Sequence, residues 1–126
     1  MIISIHDKRV IQDIQDEFTS QFPYLKLEFF TRPHKVSIVS PKSQKRNSTT
    51  LGDCRTVNKK GNLEIVGEMT SRELEQQFRE LYGLNVQLFR KSGSSWLETS
   101  VTDSWTLQKQ NDQGETLTKI FNKTVS

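Results

Sequence analysis

The spacing of apolar residues along this chain switches repeatedly between every second position and every third or fourth. Met1–His6 (MIISIH) alternates weakly and predicts a first strand. Ile11, Ile14, Phe18 and Phe22 then recur three and four residues apart, the period of a helix with one buried face. Asp7 is placed to cap that helix, and Pro23 ends it, because the residue before a proline disfavours helical geometry. Leu25, Leu27 and Phe29 alternate with Lys26, Glu28 and Phe30, which predicts a strand with one face in a core and one open. Lys35–Ser40 (KVSIVS) predicts another short strand, stopped by Pro41.

The second half repeats the order. Leu63–Val66 predicts a strand. Thr70 with Glu73 fits a capping box, the hydroxyl and the carboxylate each satisfying an orphan amide of the helix start. The helix carries Leu74, Phe78, Leu81 and Tyr82 inward, with Glu75 and Arg79 paired one turn apart outside, and Gly83 is its left-handed stop. Leu84, Val86 and Leu88 alternate with Asn85, Gln87 and Phe89, and Trp96–Thr99 predicts the next strand, reached through a small-residue turn at Lys91–Ser95. Laid over each other, Ile14 meets Leu74, Phe18 meets Phe78 and Phe22 meets Tyr82. After one residue of slack, Leu27 meets Val86, Phe29 meets Leu88 and Phe30 meets Phe89. Thr50-Leu51 and Thr106-Leu107 each begin a short helical segment at the end of their half.

These elements predict an α+β fold with an internal βαββ duplication. Residues 1–61 form the first unit, including a basic loop at 41–61, and residues 62–126 form the second with a C-terminal helical segment, all in one domain of 1–126. Each helix joins two strands expected to be parallel, and right-handed crossovers put both helices on one side. The expectation is a two-layer domain: one mixed sheet of five or six strands, two main helices on one face, approximately ferredoxin-like in element order. The C-terminal segment is expected on an edge or across the open face. Within it, Leu107, Leu117 and Phe121 form an apolar stripe that Gln110 and Gly114 interrupt, with Asp103 or Thr106 as the cap.

Composition adds three constraints. Hydrophobic residues make up 33% of the chain, so the core is thin and a partner or second copy helps to cover it. No apolar run approaches the roughly 20 residues that cross a membrane, and MIISIHDKRV lacks the features of a secretory signal. Cys54 is the single cysteine, which excludes an internal disulfide and suits a reducing cytoplasm. The net charge of +3 hides an uneven distribution: residues 32–60 carry eight bases against Asp53 alone.

Candidate chemistry is sparse. His6, His34 and Cys54 have no paired metal-ligand spacing, so no metal site is expected. Cys54 with His34 is the one nucleophile–base pair to consider, and no nucleophile elbow or phosphate-binding loop is present. No catalytic residue and no cofactor are therefore assigned. What stands out is a surface. The strand alternation puts Lys26 and Phe30 of one strand and Gln87 and Phe89 of another on the open side of the sheet, joined by Trp96 or Leu97 of a third, depending on register. Aromatics on an open face serve a protein interface, a self-association face, or stacking of unpaired bases. In the nucleic-acid alternative Lys42, Lys45, Arg46, Arg55, Lys59 and Lys60 would contact phosphates. The stretch VQLFRKSGSSWLETSVTDSWTLQKQN (86–111) resembles a family of small bacterial proteins of unknown function. That resemblance implies a bacterial cytoplasmic origin and brings no activity or site residues. The expectation is a small non-catalytic module that binds another protein or its own copy, with nucleic-acid binding as the alternative and no membrane role.

Overall fold

Two short sheets, three helices and one helical turn make up the structure, a computed structural model that describes residues 1–31 and 48–125. In chain order these are β1 (Ile2–Ile5), α1 (Ile11–Gln21), β2 (Leu25–Phe30), a 3-10 turn (Leu51–Cys54), β3 (Gly61–Glu64), α2 (Ser71–Tyr82), β4 (Asn85–Ser92), β5 (Ser95–Glu98) and α3 (Leu107–Val125). The strand expected at 35–40 lies outside the described residues. The fold is α+β, as the periodicity predicts, but the single mixed sheet is not formed. β1 pairs with β3, and β2, β4 and β5 form a separate sheet in that order, with every strand pairing among the described residues antiparallel.

The reason lies at the strand edges. The outward carbonyls of β2 are taken by α1: Gln15 Nε2 donates to Leu27 O (2.7 Å) and Thr19 Oγ1 donates to Leu25 O (3.0 Å). α1 thus lies along the Leu25–Leu27 stretch of that edge, and β1 pairs with β3 instead. On β4, β5 covers only Phe89–Ser92. Beyond it the Leu88 amide donates to Glu75 of α2 (3.0 Å), and Gln87 Nε2 donates to the same carboxylate (3.3 Å). Glu75 therefore turns inward to the sheet instead of serving an outside pair with Arg79. Buried strand edges must find partners, and here helix side chains supply them.

Both sheets, α1 and α2 share one core, to which α3 adds Leu107. Ile3, Ile5, Leu63 and Ile65 come from the β1–β3 region, Leu25, Leu27, Phe29, Leu84 and Leu88 from β2 and β4, Ile11, Ile14 and Phe18 from α1, and Leu74 and Phe78 from α2. Phe29 meets Phe78 edge to face at 5.8 Å. Each such ring, taken fully out of water, contributes about 2–3 kcal/mol.

The element ends follow local chemistry, with one correction. Gly83 adopts φ 62° and closes α2, its amide donating to Arg79 O. Gly93 (φ 65°) turns β4 into β5. Thr70 Oγ1 accepts from the Glu73 amide (3.1 Å), and Thr106 Oγ1 accepts from the Lys109 amide (3.1 Å) at the start of α3. Asp7 does not cap α1. That helix begins after Val10, and its first amide donates to Thr49 O (2.9 Å). The Asp7 carboxylate instead accepts from Arg55 Nε (2.9 Å), while Arg55 Nη1 donates to Tyr82 O (2.8 Å). A buried guanidinium has a stronger claim on the carboxylate than an exposed helix end.

The same bonds hold both half-ends. The Ile11 amide donates to Thr49 O, Leu51 to Arg9 O and Gly52 to Asp7 O. In the second half the Ser71 amide donates to Trp105 O, Leu107 to Met69 O and Gln108 to Gly67 O. Val10 bridges Thr50 as Thr70 bridges Thr106.

α3 docks on neither the edge nor the open face. It lies at the Tyr24–Leu25 end of the β2–β4 ribbon, on the side to which Arg90 points, and Arg90 pairs with core-facing Leu25. Its buried positions are Leu107, Gln110, Gly114 and Thr118. Gln110, fully buried, accepts from Arg90 Nη1 (2.7 Å) and donates to Thr102 O (2.7 Å) and Ser71 Oγ (3.2 Å). Gly114 lets the helix approach the strands: a Cβ there would lie 2.9 Å from Tyr24 Cβ and 3.1 Å from Lys91 O. The interruption of the apolar stripe is thus the docking contact itself.

Gln110→Ala is expected to cost about 2–3 kcal/mol, since it strands the Arg90 head and its other partners. Exposed Gln108→Ala should change stability by less than about 0.5 kcal/mol. Gly114→Ala is expected to cost about 1–3 kcal/mol by overpacking. The midpoints of urea unfolding, at unchanged slope, measure all three.

Candidate functional site

Register assigns each residue of β2–β4–β5 to a face, because directly paired residues of antiparallel strands point the same way. Lys26 pairs with Phe89 and Phe89 with Glu98; Glu28 pairs with Gln87, Phe30 with Asn85, and Lys91 with Trp96. Lys26, Phe30, Gln87 and Phe89 therefore share the face turned away from Leu25, Leu27 and Phe29, as the alternation predicts, and the β4–β5 register selects Trp96 over Leu97 for the same face.

Their environments differ. Phe30 and Gln87 are buried, at 8% and 4% exposure, so neither offers a free contact surface. Phe89, Trp96 and Lys26 are half-exposed. The Lys26 ammonium lies over both rings, 4.9 Å from the Trp96 centroid and 5.5 Å from that of Phe89, and 3.4 Å from Glu28 Oε1. The cation stays close to its carboxylate while covering aromatic surface. On the other side of β5, Leu97 is 44% exposed.

Beside the Lys26–Trp96 contact runs a groove of about 220 Å³, lined by Gln12, Gln15, Asp16 and Thr19 of α1, Lys26, Leu27 and Glu28 of β2, and Trp96 of β5. The α1 residues were not singled out by sequence. Their only signal is a polar stripe at spacings of three and four, which any solvated helix face also shows.

The basic positions divide. Lys42, Lys45 and Arg46 lie outside the described residues. Lys59 and Lys60 are exposed. The Arg55 side chain has no exposed surface; besides its bonds to Asp7 and Tyr82, Nη2 lies 2.7 Å from Asp7 Oδ1. It is committed inward and unavailable to a phosphate.

Cys54 is buried on the 3-10 turn, its Sγ donating to Leu51 O (3.2 Å). Burial is the main cause that pushes its thiol up from 9.0 to about 11, against the lowering effect of Arg55. A thiol held protonated is a poor nucleophile. His34 lies outside the described residues, and His6 is exposed. Among the described residues no three His, Cys, Asp or Glu side chains cluster to hold a metal, and no helix is long and apolar enough to cross a membrane.

No protein-family model matches this chain, and no curated protein or solved structure matches it.

The Cys54 geometry predicts slow alkylation. At pH 8 the native thiol should react with iodoacetamide roughly 100-fold more slowly than a free thiol with a pKa of 9.0, in proportion to its thiolate fraction. The rate should keep rising with pH up to about 11. A rate matching the free thiol would show that the side chain is neither buried nor shifted.

Proposed function

We propose that this chain is a small non-catalytic cytoplasmic module that binds another protein, its own copy first among the candidates, through the outer face of β2–β4–β5. The observation that carries this reading is the half-exposed Phe89–Lys26–Trp96 layer at the β5 end of the sheet. Aromatic rings left at a sheet surface, away from the core, are the residues most often found at the energetic centre of protein interfaces. The exposed Leu97 on the other side of β5 adds apolar area at the same strand. The repeated half-end bonds support reading the fold as an internal duplication, with β5 and the long α3 as the additions that make the second half different.

Single-stranded nucleic acid is the second reading, favoured by the presence of rings and an ammonium on one sheet face. Two features weigh against it. Lys26 already covers ring surface that bases would stack on, and Arg55 is turned inward.

Light-scattering mass on a sizing column separates the readings, at low and high salt, with and without a mixed-sequence single-stranded oligonucleotide. The expected result is a dimer that resists salt, ignores the oligonucleotide and is lost in Phe89→Ala. A monomer that gains mass with oligonucleotide at low salt alone would replace this reading with the second, because phosphate contacts weaken steeply as salt rises.

A further inference from the structure

The α1 groove has an unbalanced set of hydrogen-bonding groups. Gln12 Nε2 donates to Asp16 Oδ1 (2.9 Å), and Thr19 Oγ1 donates to Leu25 O (3.0 Å). Gln15 Nε2 donates to Leu27 O (2.7 Å) and reaches Glu28 Oε2 (3.5 Å). Lys26 is held by Glu28 and the two rings. Since Leu27 O and the Asp16 carboxylate can only accept, these bonds also fix which end of each amide is nitrogen. The Gln12 and Gln15 amides and the Thr19 hydroxyl each donate within the protein, and the donors left over are the second Gln12 N–H and the Trp96 indole N–H. The larger uncommitted capacity is in acceptors: Oε1 of Gln12 and of Gln15, Oδ2 of Asp16 and the lone pairs of Thr19. Two carboxylates, Asp16 and Glu28, face one ammonium, so the lining is also net negative. One wall is the Trp96 indole.

A ligand for this groove must bring donors, carry positive charge and lie flat on an indole. An anion meets the wrong charge, and a neutral polyol gains nothing from it. A guanidinium meets all three demands, with five N–H donors in a planar cation that stacks on aromatic faces and pairs with a carboxylate in two-pronged fashion. A volume of about 220 Å³ accommodates that head and part of its stem. We propose that the groove receives the guanidinium of an arginine presented by the partner protein, between Asp16, the Gln12 and Gln15 carbonyl oxygens and Trp96. The assignment rests on the protein-binding reading above and names what the partner must carry. Lys26 then has a second role as an internal competitor, a cation already seated on the Trp96 ring.

The test is a titration with N-acetyl-arginine amide, followed by the NMR signals of the Gln12 and Gln15 side-chain amides and the Trp96 indole. The neutral isostere N-acetyl-citrulline amide is the control. Saturable shifts with a dissociation constant on the order of 1–10 mM are expected, the range for one charged side chain. Citrulline should bind at least about fivefold more weakly, since it keeps the shape and loses the charge. Asp16→Asn should weaken arginine binding about threefold or more. Lys26→Met should strengthen it several-fold by freeing the ring and Glu28. The remainder of each spectrum reports whether the variant is folded. Shifts that do not saturate by about 100 mM, equal binding of citrulline, or weaker binding in Lys26→Met would each overturn the assignment. A silent groove beside an intact Phe89-dependent association would overturn only the arginine site and leave the interaction face standing.

Discussion

The fold turns on how two strand edges are closed. The β2–β4 ribbon sits between two helices, and each helix reaches across with a side chain in place of a neighbouring strand: Gln15 and Thr19 to β2 carbonyls, Glu75 to a β4 amide. An edge inside a protein cannot be left without partners, since each unpaired backbone group costs on the order of 1–3 kcal/mol. With these side chains on the edges, β1 lies away from β2. It pairs with β3, and the chain forms two antiparallel sheets around one core. A few polar side chains on these amphipathic helices thus stand where neighbouring strands would bond.

This explains what the sequence made legible and what it did not. Element type was readable because apolar period is a local property, and the turns at Gly83 and Gly93 because positive φ selects glycine. The outer face was readable for a similar reason: alternation fixes which residues share a side, and the register places Lys26, Phe89 and Trp96 together. Sheet partnership was not readable. Gln15 and Glu75 look like any polar residues on a helix, and nothing local shows that one is 8% exposed and bonded to a strand. Asp7 misled in the same way. A carboxylate before a helix suggests a cap, but its partner Arg55 lies far along the chain and becomes adjacent only on folding. The groove is the extreme case, since its walls come from α1 and from β5.

Polar residues also account for the attachment of α3. An apolar stripe broken by Gln and Gly suggests a helix half in water, and by composition alone that inference is sound. Here the break is buried. Gln110 accepts from Nη1 of Arg90, whose pKa is lowered from its ordinary range by burial and whose guanidinium lies over the Trp105 ring at 5.3 Å. Gly114 removes the side chain that would keep helix and strand apart. Besides the buried Leu107, this directional polar contact holds α3. Such a contact fixes the helix in one orientation, which an apolar stripe of the same length would do less strictly.

The position of that contact bears on function. With α3 fixed on the core side at the Leu25–Arg90 end, it does not cover the outer face of the sheet, where the Lys26, Phe89 and Trp96 side chains stay half-exposed. The Gln110 and Gly114 contacts direct the helix to the core side, and the Lys26 ammonium lies over the aromatic layer on the other. A lysine over a ring contributes about 0.5–1 kcal/mol at an exposed site. That is enough to hold the ammonium over the rings, and small beside the burial of a core aromatic such as Phe29.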